Sequence, residues 1–278
     1  MEFARWMPWY EKITSSFGYS VDKDREASLV LSDLLSRAAA PLAALRRIVK
    51  GRDILILGAG PSLENNLAEL VSSGLERSFK LVAADGTTSA LLEESIIPHI
   101  VVTDLDGCVE DIIEASKVGA TVVIHAHGDN IEALRKWVPR IIDGRKGEVF
   151  GTTQAEPSPP AIHNFGGFTD GDRGVFLAEE MEARTIVLAG MDLGKVIGKY
   201  SKNRDKDSDS RRYDRKWLSM KRLKLRFARE LLEWLATWSR ARSGLFNATG
   251  PRGEAIRGFA RIDFRDLPRI VKATGSQE

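Results

Sequence analysis

Six short apolar runs, most of them rich in β-branched residues, recur along the chain and constrain its fold more than any other feature. They are DILILG (53–58), KLVAAD (80–85), HIVVTD (99–104), ATVVIHAH (120–127), EVFGTT (148–153) and TIVLAG (185–190). Amphipathic segments separate them, and this alternation is typical of βα units with strands buried on both faces. The pattern therefore predicts an α/β fold with a mostly parallel, doubly wound, Rossmann-like sheet.

The segments on either side of these runs have a different character. Residues 1–50 form a predicted N-terminal helical segment, in which leucines recur at helical spacing and Pro41 breaks the pattern. Residues 51–198 are the predicted α/β core that binds nucleotide and substrate. Residues 199–278 are predicted to hold a charged loop, a long basic helix and a tail that packs on the core.

The charged loop and the long helix follow the core, and the basic face of the helix admits two interpretations. Residues 199–216 offer almost nothing to bury, so we expect a mobile loop that acts as a lid. In the helix that follows, about 214–240, an apolar stripe of Leu225, Ala228, Leu232, Leu235 and Trp238 predicts packing on the core. Its basic face, 211–229, either attracts polyphosphate or RNA or is an ordinary solvated face.

Composition restricts the class of protein. The 278 residues carry 41 Lys and Arg against 39 Asp and Glu, a net charge of +2, which argues against a dedicated nucleic-acid or membrane-surface binder. The single cysteine, Cys108, excludes an intramolecular disulfide and a cysteine-rich metal site. The N-terminus lacks the apolar core of a signal peptide, and no apolar run has the length of a membrane span. We therefore expect a cytoplasmic globular protein.

Glycine and aspartate follow the first two predicted strands. The loop Gly58-Ala59-Gly60-Pro61-Ser62 precedes a predicted helix, so its N–H groups are candidates for binding a phosphate. Leu63 replaces the third glycine of a dinucleotide fingerprint and no Walker lysine follows, so a plain strand-to-helix turn is the alternative. Asp85 is a candidate ribose ligand, or part of an Asp-Gly turn.

The sharpest local signal is VVTDLDG (101–107), which places Asp104 and Asp106 just after a buried strand. Two carboxylates one residue apart on a fixed turn can hold Mg²⁺ while substrate phosphates complete its coordination. One alternative is a turn that caps the next helix. Another is a haloacid-dehalogenase-type phosphohydrolase with Asp104 as the nucleophile. Cys108 replaces the threonine of that motif, however, and the motif here ends the third strand instead of the first.

The sequence HAHGDN (125–130) stands at the end of the fourth predicted strand. His125 and His127 share one face there and are candidate transition-metal ligands with Asp129. Phosphate binding by His127 and capping of the next helix by Asp129 or Asn130 are the alternatives.

Two further polar groups are candidate substrate contacts. Asp170, Asp172 and Arg173 follow a glycine-rich loop, as either a polar substrate clamp or a capped helix start with a local ion pair. Asp192 follows the last predicted strand, and NATG (247–250) lies further on; each taken singly is more often a turn.

Taken together and in order, these motifs resemble the archaeal 6-hydroxymethyl-7,8-dihydropterin pyrophosphokinase family. The residues that carry the resemblance are Trp6, Trp9 and Tyr10 with FGY (17–19), GAGPSLE (58–64), VVTDLDG (101–107), HAHGDN (125–130), NFGGFTDGDR (164–173), AGMDLG (189–194) and NATG (247–250). The resemblance implies a central fold similar to thiamin pyrophosphokinase. It also implies transfer of the β,γ-diphosphate of ATP to the pterin hydroxymethyl oxygen, with release of AMP.

These observations lead to a set of expected roles, with ATP and a dihydropterin alcohol as small-molecule substrates. Asp104, Asp106 and Arg173 are the expected catalytic residues, the first two as Mg²⁺ ligands; Gly58, Gly60, Ser62, Asp85 and His127 are the expected nucleotide contacts; Asp129, Asn130, Asp170, Asp172 and Asp192 are the candidate substrate contacts. The N-terminal helices have three open roles, which are packing on the sheet, forming a homodimer interface and shielding the site.

Overall fold

A computed structural model of the chain describes residues 2–201, 215–241, 244–251 and 253–270. Its centre is a nine-stranded sheet in which every pairing is parallel. The strands are β1 Asp53–Leu57, β2 Lys80–Ala84, β3 Ile100–Thr103, β4 Thr121–Ala126, β5 Val149–Thr153, β6 Ile162–His163, β7 Thr185–Ala189, β8 Leu245–Asn247 and β9 Ala260–Arg261. The predicted α/β class with a mostly parallel sheet is confirmed.

Helices cover both faces of this sheet. They are α1 Phe3–Phe17, α2 Val21–Leu35, α3 Leu42–Val49, α4 Leu63–Ser73, α5 Thr87–Glu93, α6 Val109–Val118, α7 Ile131–Ile142, α8 Asp170–Glu180 and α9 Arg215–Ala236. Short 3₁₀ turns at Leu75–Arg77 and Phe264–Asp266 complete the described elements. No helix within the described ranges is long and apolar enough to cross a membrane.

The order of the strands creates one switch point. Across the sheet the order is β6-β5-β4-β3-β2-β1-β7-β8-β9. The chain therefore runs outward from β1 to β6, returns through α8, and places β7 on the free side of β1. In open α/β sheets, ligands bind outside the carboxyl ends of the strands at such a switch point.

Side chains alternate between two apolar layers along each strand, as a buried parallel sheet requires. On β1, Leu55 and Leu57 pack into the layer that contains α2 and α4 to α7, whereas Ile54 and Ile56 pack into the layer that contains α1, α3, α8 and α9. All four side chains are fully buried. This alternation explains why the strands read as continuous apolar runs.

The N-terminal helices pack on the sheet, which is one of the three roles left open for them. The predicted break is confirmed, because α2 ends at Leu35 and Pro41 is the N-cap residue of α3. Phe17 at the end of α1 lies with its ring centroid 5.0 Å from Phe168 and 5.4 Å from Phe227 of α9. These contacts join the first helix, the start of α8 and the long helix.

The C-terminal part agrees with the prediction in one respect and differs in two. The stripe of Ala228, Leu232 and Leu235 is buried as expected. The helix ends at Ala236, short of the predicted end at 240, because a turn follows. Strands β8 and β9, like β6 earlier in the chain, have only two or three residues and were not predicted. Residues 202–214 of the expected lid lie outside the described residues.

Candidate active site

A pocket with a cavity volume of about 490 Å³ opens at the carboxyl ends of β1, β2, β3 and β7, on the switch point. The loops after these strands line it, together with the start of α8 and the inner face of α9. Of the predicted site residues, it brings together Gly58, Gly60, Asp85, Asp104, Asp106, Asp170, Arg173 and Asp192. Its size is typical of a small-molecule site.

The loop after β3 holds two carboxylates at the pocket edge. Leu105 adopts a left-handed φ of 68°, and its N–H donates to Thr103 Oγ1 at 2.8 Å. The N–H of Asp106 donates to Asp104 Oδ1 at 3.3 Å. This tight turn buries Leu105 and leaves the two aspartates on either side of it to face the pocket. Neither aspartate caps α6, whose N-cap residue Cys108 has no capping side-chain hydrogen bond.

Asp85 joins this pair from the end of β2. Its carboxylate is buried and accepts a hydrogen bond from the Thr103 hydroxyl. Oxygens of Asp85, Asp104 and Asp106 lie within 4.8 Å of one another, and this is the one such group of potential metal ligands in the described part of the chain. A side chain at position 107 would place its Cβ 2.1 Å from Asp85 Oδ2, so Gly107 is required for this close approach. We call these three residues the acidic triad.

The carboxylates of the acidic triad lie close together and repel one another. Burial, together with the charges of Asp106 and Asp170, raises the pKa of Asp85 well above its ordinary value. The charge of Asp104, followed by burial, raises the pKa of Asp106 to about 6. Burial acts in the same direction on Asp104, but hydrogen bonding and charge from His127 outweigh it and lower the pKa of that carboxyl. Hard oxygen donors that repel one another in this way fit a divalent cation such as Mg²⁺.

The start of α8 brings an ion pair to the same pocket. Arg173 donates from Nη1 to Asp170 Oδ1 at 3.1 Å, and both side chains are largely buried. Burial and the charge of Asp104 raise the pKa of Asp170, whereas Arg173 opposes that shift. Asp172 has a different role, because its carboxylate accepts the N–H groups of Phe168 and Thr169, each at 2.7 Å. It closes the capping box of α8 and does not line the pocket.

Residues of the HAHGDN segment (125–130) contact Asp104 but do not line the pocket. His127 Nε2 lies 3.4 Å from Asp104 Oδ2. Asn130 donates from Nδ2 to the backbone oxygens of Asp104 at 2.8 Å and His125 at 2.7 Å, and it accepts the N–H of His127 at 3.0 Å. Neither His127 nor Asn130 lines the pocket, and Asp129 is exposed outside it.

His125 is an internal residue of β4. Its Nδ1 lies 3.2 Å from Thr152 Oγ1, and burial lowers its pKa well below the ordinary value. Among the described residues, no group of potential metal ligands includes His125 or His127. The transition-metal interpretation of these two histidines therefore finds no support.

The glycine loop after β1 binds another part of the protein. The N–H of Gly58 donates to Ala189 O at 2.9 Å, and that of Gly60 donates to Gly190 O at 2.7 Å. Ser62 donates from its N–H at 3.1 Å and its hydroxyl at 2.8 Å, both to Asp192 Oδ2. These three amides are therefore not the free donors that the sequence predicts, because β7 lies beside β1 and its loop supplies their acceptors. That Gly58, Gly60 and Ser62 contact the nucleotide stays a prediction. Gly58 and Gly60 still line the pocket.

Four residues of α9 that were not assigned to the site also line the pocket: Trp217, Lys221, Lys224 and Leu225. The charge of Lys221 acts on Asp106 and lowers its pKa, against the larger effect of Asp104. The basic stretch 211–229 was the signal for them in the sequence, but the sequence did not show which of its residues face the pocket.

Comparisons with known proteins agree with the geometry. A family model described as 6-hydroxymethylpterin diphosphokinase, MptE-like, matches residues 31–198. The chain is 45% identical over 235 residues to a 6-hydroxymethyl-7,8-dihydropterin pyrophosphokinase of Methanothermobacter thermautotrophicus, covering 84% of this chain and 95% of the relative. Relatives of the same name from Pyrococcus furiosus and Methanocaldococcus jannaschii are 44% and 41% identical, covering 87% and 73% of this chain and 97% and 84% of the relatives.

A solved structure of another protein has a similar fold. The MAf glycosyltransferase from Magnetospirillum magneticum superposes with a TM-score of 0.50 at 16% sequence identity. The match covers 88% of this chain and 41% of that protein, and at this low identity it shows a similar fold only.

Proposed function

The chain belongs to the MptE-like 6-hydroxymethylpterin diphosphokinase family, and from that premise we propose that it is an ATP-dependent diphosphotransferase acting on 6-hydroxymethyl-7,8-dihydropterin. The hydroxymethyl oxygen attacks the β-phosphorus of ATP, and the bond between that phosphorus and the oxygen bridging to the α-phosphorus breaks. The hydroxyl proton is released to solvent, AMP leaves with the bridging oxygen, and the diphosphate remains on the pterin.

The acidic triad is the observation that carries this proposal. Diphosphoryl transfer depends on positioning and on neutralising phosphate charge, and needs no covalent nucleophile. Asp85, Asp104 and Asp106 would hold Mg²⁺, as their mutual distances and hard oxygen donors fit that ion. When bound, the ion supplies positive charge to the phosphate oxygens and helps to orient them. His127 and Arg173 keep Asp104 ionised and therefore ready to bind a cation.

Cationic side chains surround the place where phosphates would lie. Arg173 lines the pocket from the start of α8, while Lys221 and Lys224 line it from α9. We assign these three to charge stabilisation of the transferred group. Preorganised cations contribute most in a largely buried pocket, where water screens them less.

Asp129, Asp170 and Asp192 are the candidate carboxylates for the pterin, and Asp192 is the best placed of the three. It is buried, lines the pocket, and uses Oδ2 for Ser62, while Oδ1 makes no hydrogen bond within the described ranges. Met191, Leu193 and Val196 line the same end and offer apolar contact to a flat ring. By contrast, Asp170 is paired with Arg173 and Asp129 lies outside the pocket.

The test measures AMP formation from Mg-ATP with and without the pterin alcohol, and identifies the pterin product by mass. We expect equal amounts of AMP and pterin diphosphate, with β- and γ-phosphate labels both transferred to the pterin. Asp192→Asn should raise the KM for the pterin more than that for ATP.

Inorganic phosphate released from simple phosphate esters, or a trapped phosphate on Asp104, would contradict the proposal and favour the phosphohydrolase alternative. Asp143→Asn is the matched control, because Asp143 is an exposed carboxylate at the end of α7 and outside the pocket.

A further inference from the structure

Asp24 is a buried carboxylate near the start of α2, only 2% exposed, and it gathers three hydrogen-bond donors. Its Oδ2 accepts from Tyr10 Oη and from Gln154 Nε2, both at 2.9 Å. Its Oδ1 accepts from the N–H of Gly128 at 2.8 Å. The carboxylate therefore joins α1, α2, the end of β5 and the loop after β4.

The Gly128 bond connects this carboxylate to the acidic triad. Gly128 directly follows His127, whose Nε2 lies 3.4 Å from Asp104 Oδ2. A side chain at position 128 would place its Cβ 2.6 Å from Lys23 Cβ, so the loop lies directly on α2. Asp24 thus fixes the backbone one residue away from the histidine that contacts Asp104.

Burying a carboxylate beside a helix costs free energy. Removing an ionised carboxyl from water is unfavourable unless hydrogen bonds replace the lost hydration, and neutral residues can hold two helices together at less cost. The three donors provide that replacement, and one of them belongs to the loop behind the acidic triad. The arrangement is expected if the position of that loop matters to the site.

We propose that Asp24 is a positioning residue, which acts through Gly128 to hold His127 against Asp104. Neither Asp24 nor any of its three hydrogen-bond partners lines the pocket, and Asp24 precedes the segment matched by the family model. Its effect on catalysis rests on the function proposed above, whereas its effect on loop order and cation binding does not.

Two variants separate this role from simple packing. Asp24→Ala removes the acceptor for Gly128, whereas Tyr10→Phe removes one donor to Oδ2 and leaves the Gly128 bond intact. Asp24→Asn is the conservative rescue, because its Oδ1 still accepts from Gly128. Its new N–H₂ group faces Gln154, whose Oε1 has no hydrogen-bond partner among the described residues and can turn to accept.

The first readout is hydrogen–deuterium exchange of peptides spanning 125–131, together with Mn²⁺ affinity of the full-length protein. In Asp24→Ala we expect faster exchange in this loop and about tenfold weaker Mn²⁺ binding, the size of effect typical of residues that orient metal ligands. Tyr10→Phe and Asp24→Asn should stay within about twofold of the wild type.

The second readout is activity, where Asp24→Ala should raise the Mg²⁺ concentration for half-maximal rate by about tenfold and leave the KM for the pterin unchanged. Gly128→Ala approaches the same bond from the loop side and should give the same result, even if Asp24→Ala fails to fold. Equal effects of Tyr10→Phe and Asp24→Ala, or unchanged Mn²⁺ binding in both Asp24→Ala and Gly128→Ala, would overturn the inference. Wild-type protein without pterin-dependent AMP formation would instead refute the proposed function.

Discussion

The carboxylates at the two ends of the sheet differ in how far the chain pairs them with its own cationic side chains. At the amino end of β1, Asp53 is buried and accepts from Arg184 Nε at 3.0 Å and Nη2 at 2.8 Å. Nearby, Glu182 accepts from Arg46 and lies 3.0 Å from Lys50 Nζ. The chain itself supplies a cation for each of these acids.

At the carboxyl end the balance is different. The three carboxylates of the acidic triad and Asp170 share the charges of Arg173 and Lys221 and the contact with His127. Burial, together with their mutual repulsion, raises the pKa values of Asp85 and Asp170, and the charge of Asp104, followed by burial, raises that of Asp106. One end of the sheet therefore pairs its acids with cations of the chain, which stabilises the fold, while the other end leaves negative charge for a ligand cation to neutralise.

The largest effect that this comparison predicts is on activity. Asp104→Asn should lower kcat by about a thousandfold, since a bound cation contributes several kcal/mol and each 1.4 kcal/mol is about tenfold in rate. Steady-state AMP formation measures it, with circular dichroism to show that the variant is folded. A folded variant with more than a tenth of the wild-type rate would contradict the distinction between paired acids at the amino end and cation-binding acids at the carboxyl end.

The opposite pattern is expected for the amino end. Asp53→Asn should lower the free energy of unfolding by about 2 kcal/mol, less than for a fully buried pair because Arg184 is partly exposed. The pterin-dependent kcat should stay within about twofold of the wild type, because Asp53 is remote from the pocket. Denaturant unfolding and the AMP assay test both parts, and a loss of activity in folded protein would contradict the expectation.

A smaller effect should appear in metal-free protein as the pH rises. The pKa of Asp106 in the folded state is about 6, above the ordinary value of 3.8, so stability associated with its protonated form is lost as pH rises towards and past 6. Asp106→Asn should remove this loss and raise Tm at pH 8 by about 3 °C. Scanning calorimetry at pH 5 and pH 8 measures it, and a lower Tm of Asp106→Asn at pH 8 would count against the repulsion described here.

Much of this fold could be predicted from local patterns. Strands β1 to β5 and β7 are runs of buried, mostly β-branched residues, and their sequence alone marks them. Strands β6, β8 and β9 are too short to show a period of two residues. The expectation of acids at the strand ends follows from the first group, because parallel strands present all their carboxyl ends at one edge.

The contacts of the site were less accessible from the sequence. Asp192 accepts from Ser62, 130 residues away, because β7 returns to the free edge of β1. Strand order is a tertiary property, and no local pattern revealed it. For the same reason Asp85 was predicted to hold a ribose, whereas the structure places its carboxylate beside Asp104 and Asp106. Whether Asp85 also contacts the nucleotide stays a prediction.

The most direct test of the account is a Mn²⁺ titration followed by electron paramagnetic resonance, in the presence of a non-hydrolysable ATP analogue. We predict one site per chain in the wild type and in Asp53→Asn. Binding should be at least about tenfold weaker in each of Asp85→Asn, Asp104→Asn and Asp106→Asn. Wild-type affinity in all three triad variants would contradict the assignment of the acidic triad as the cation site.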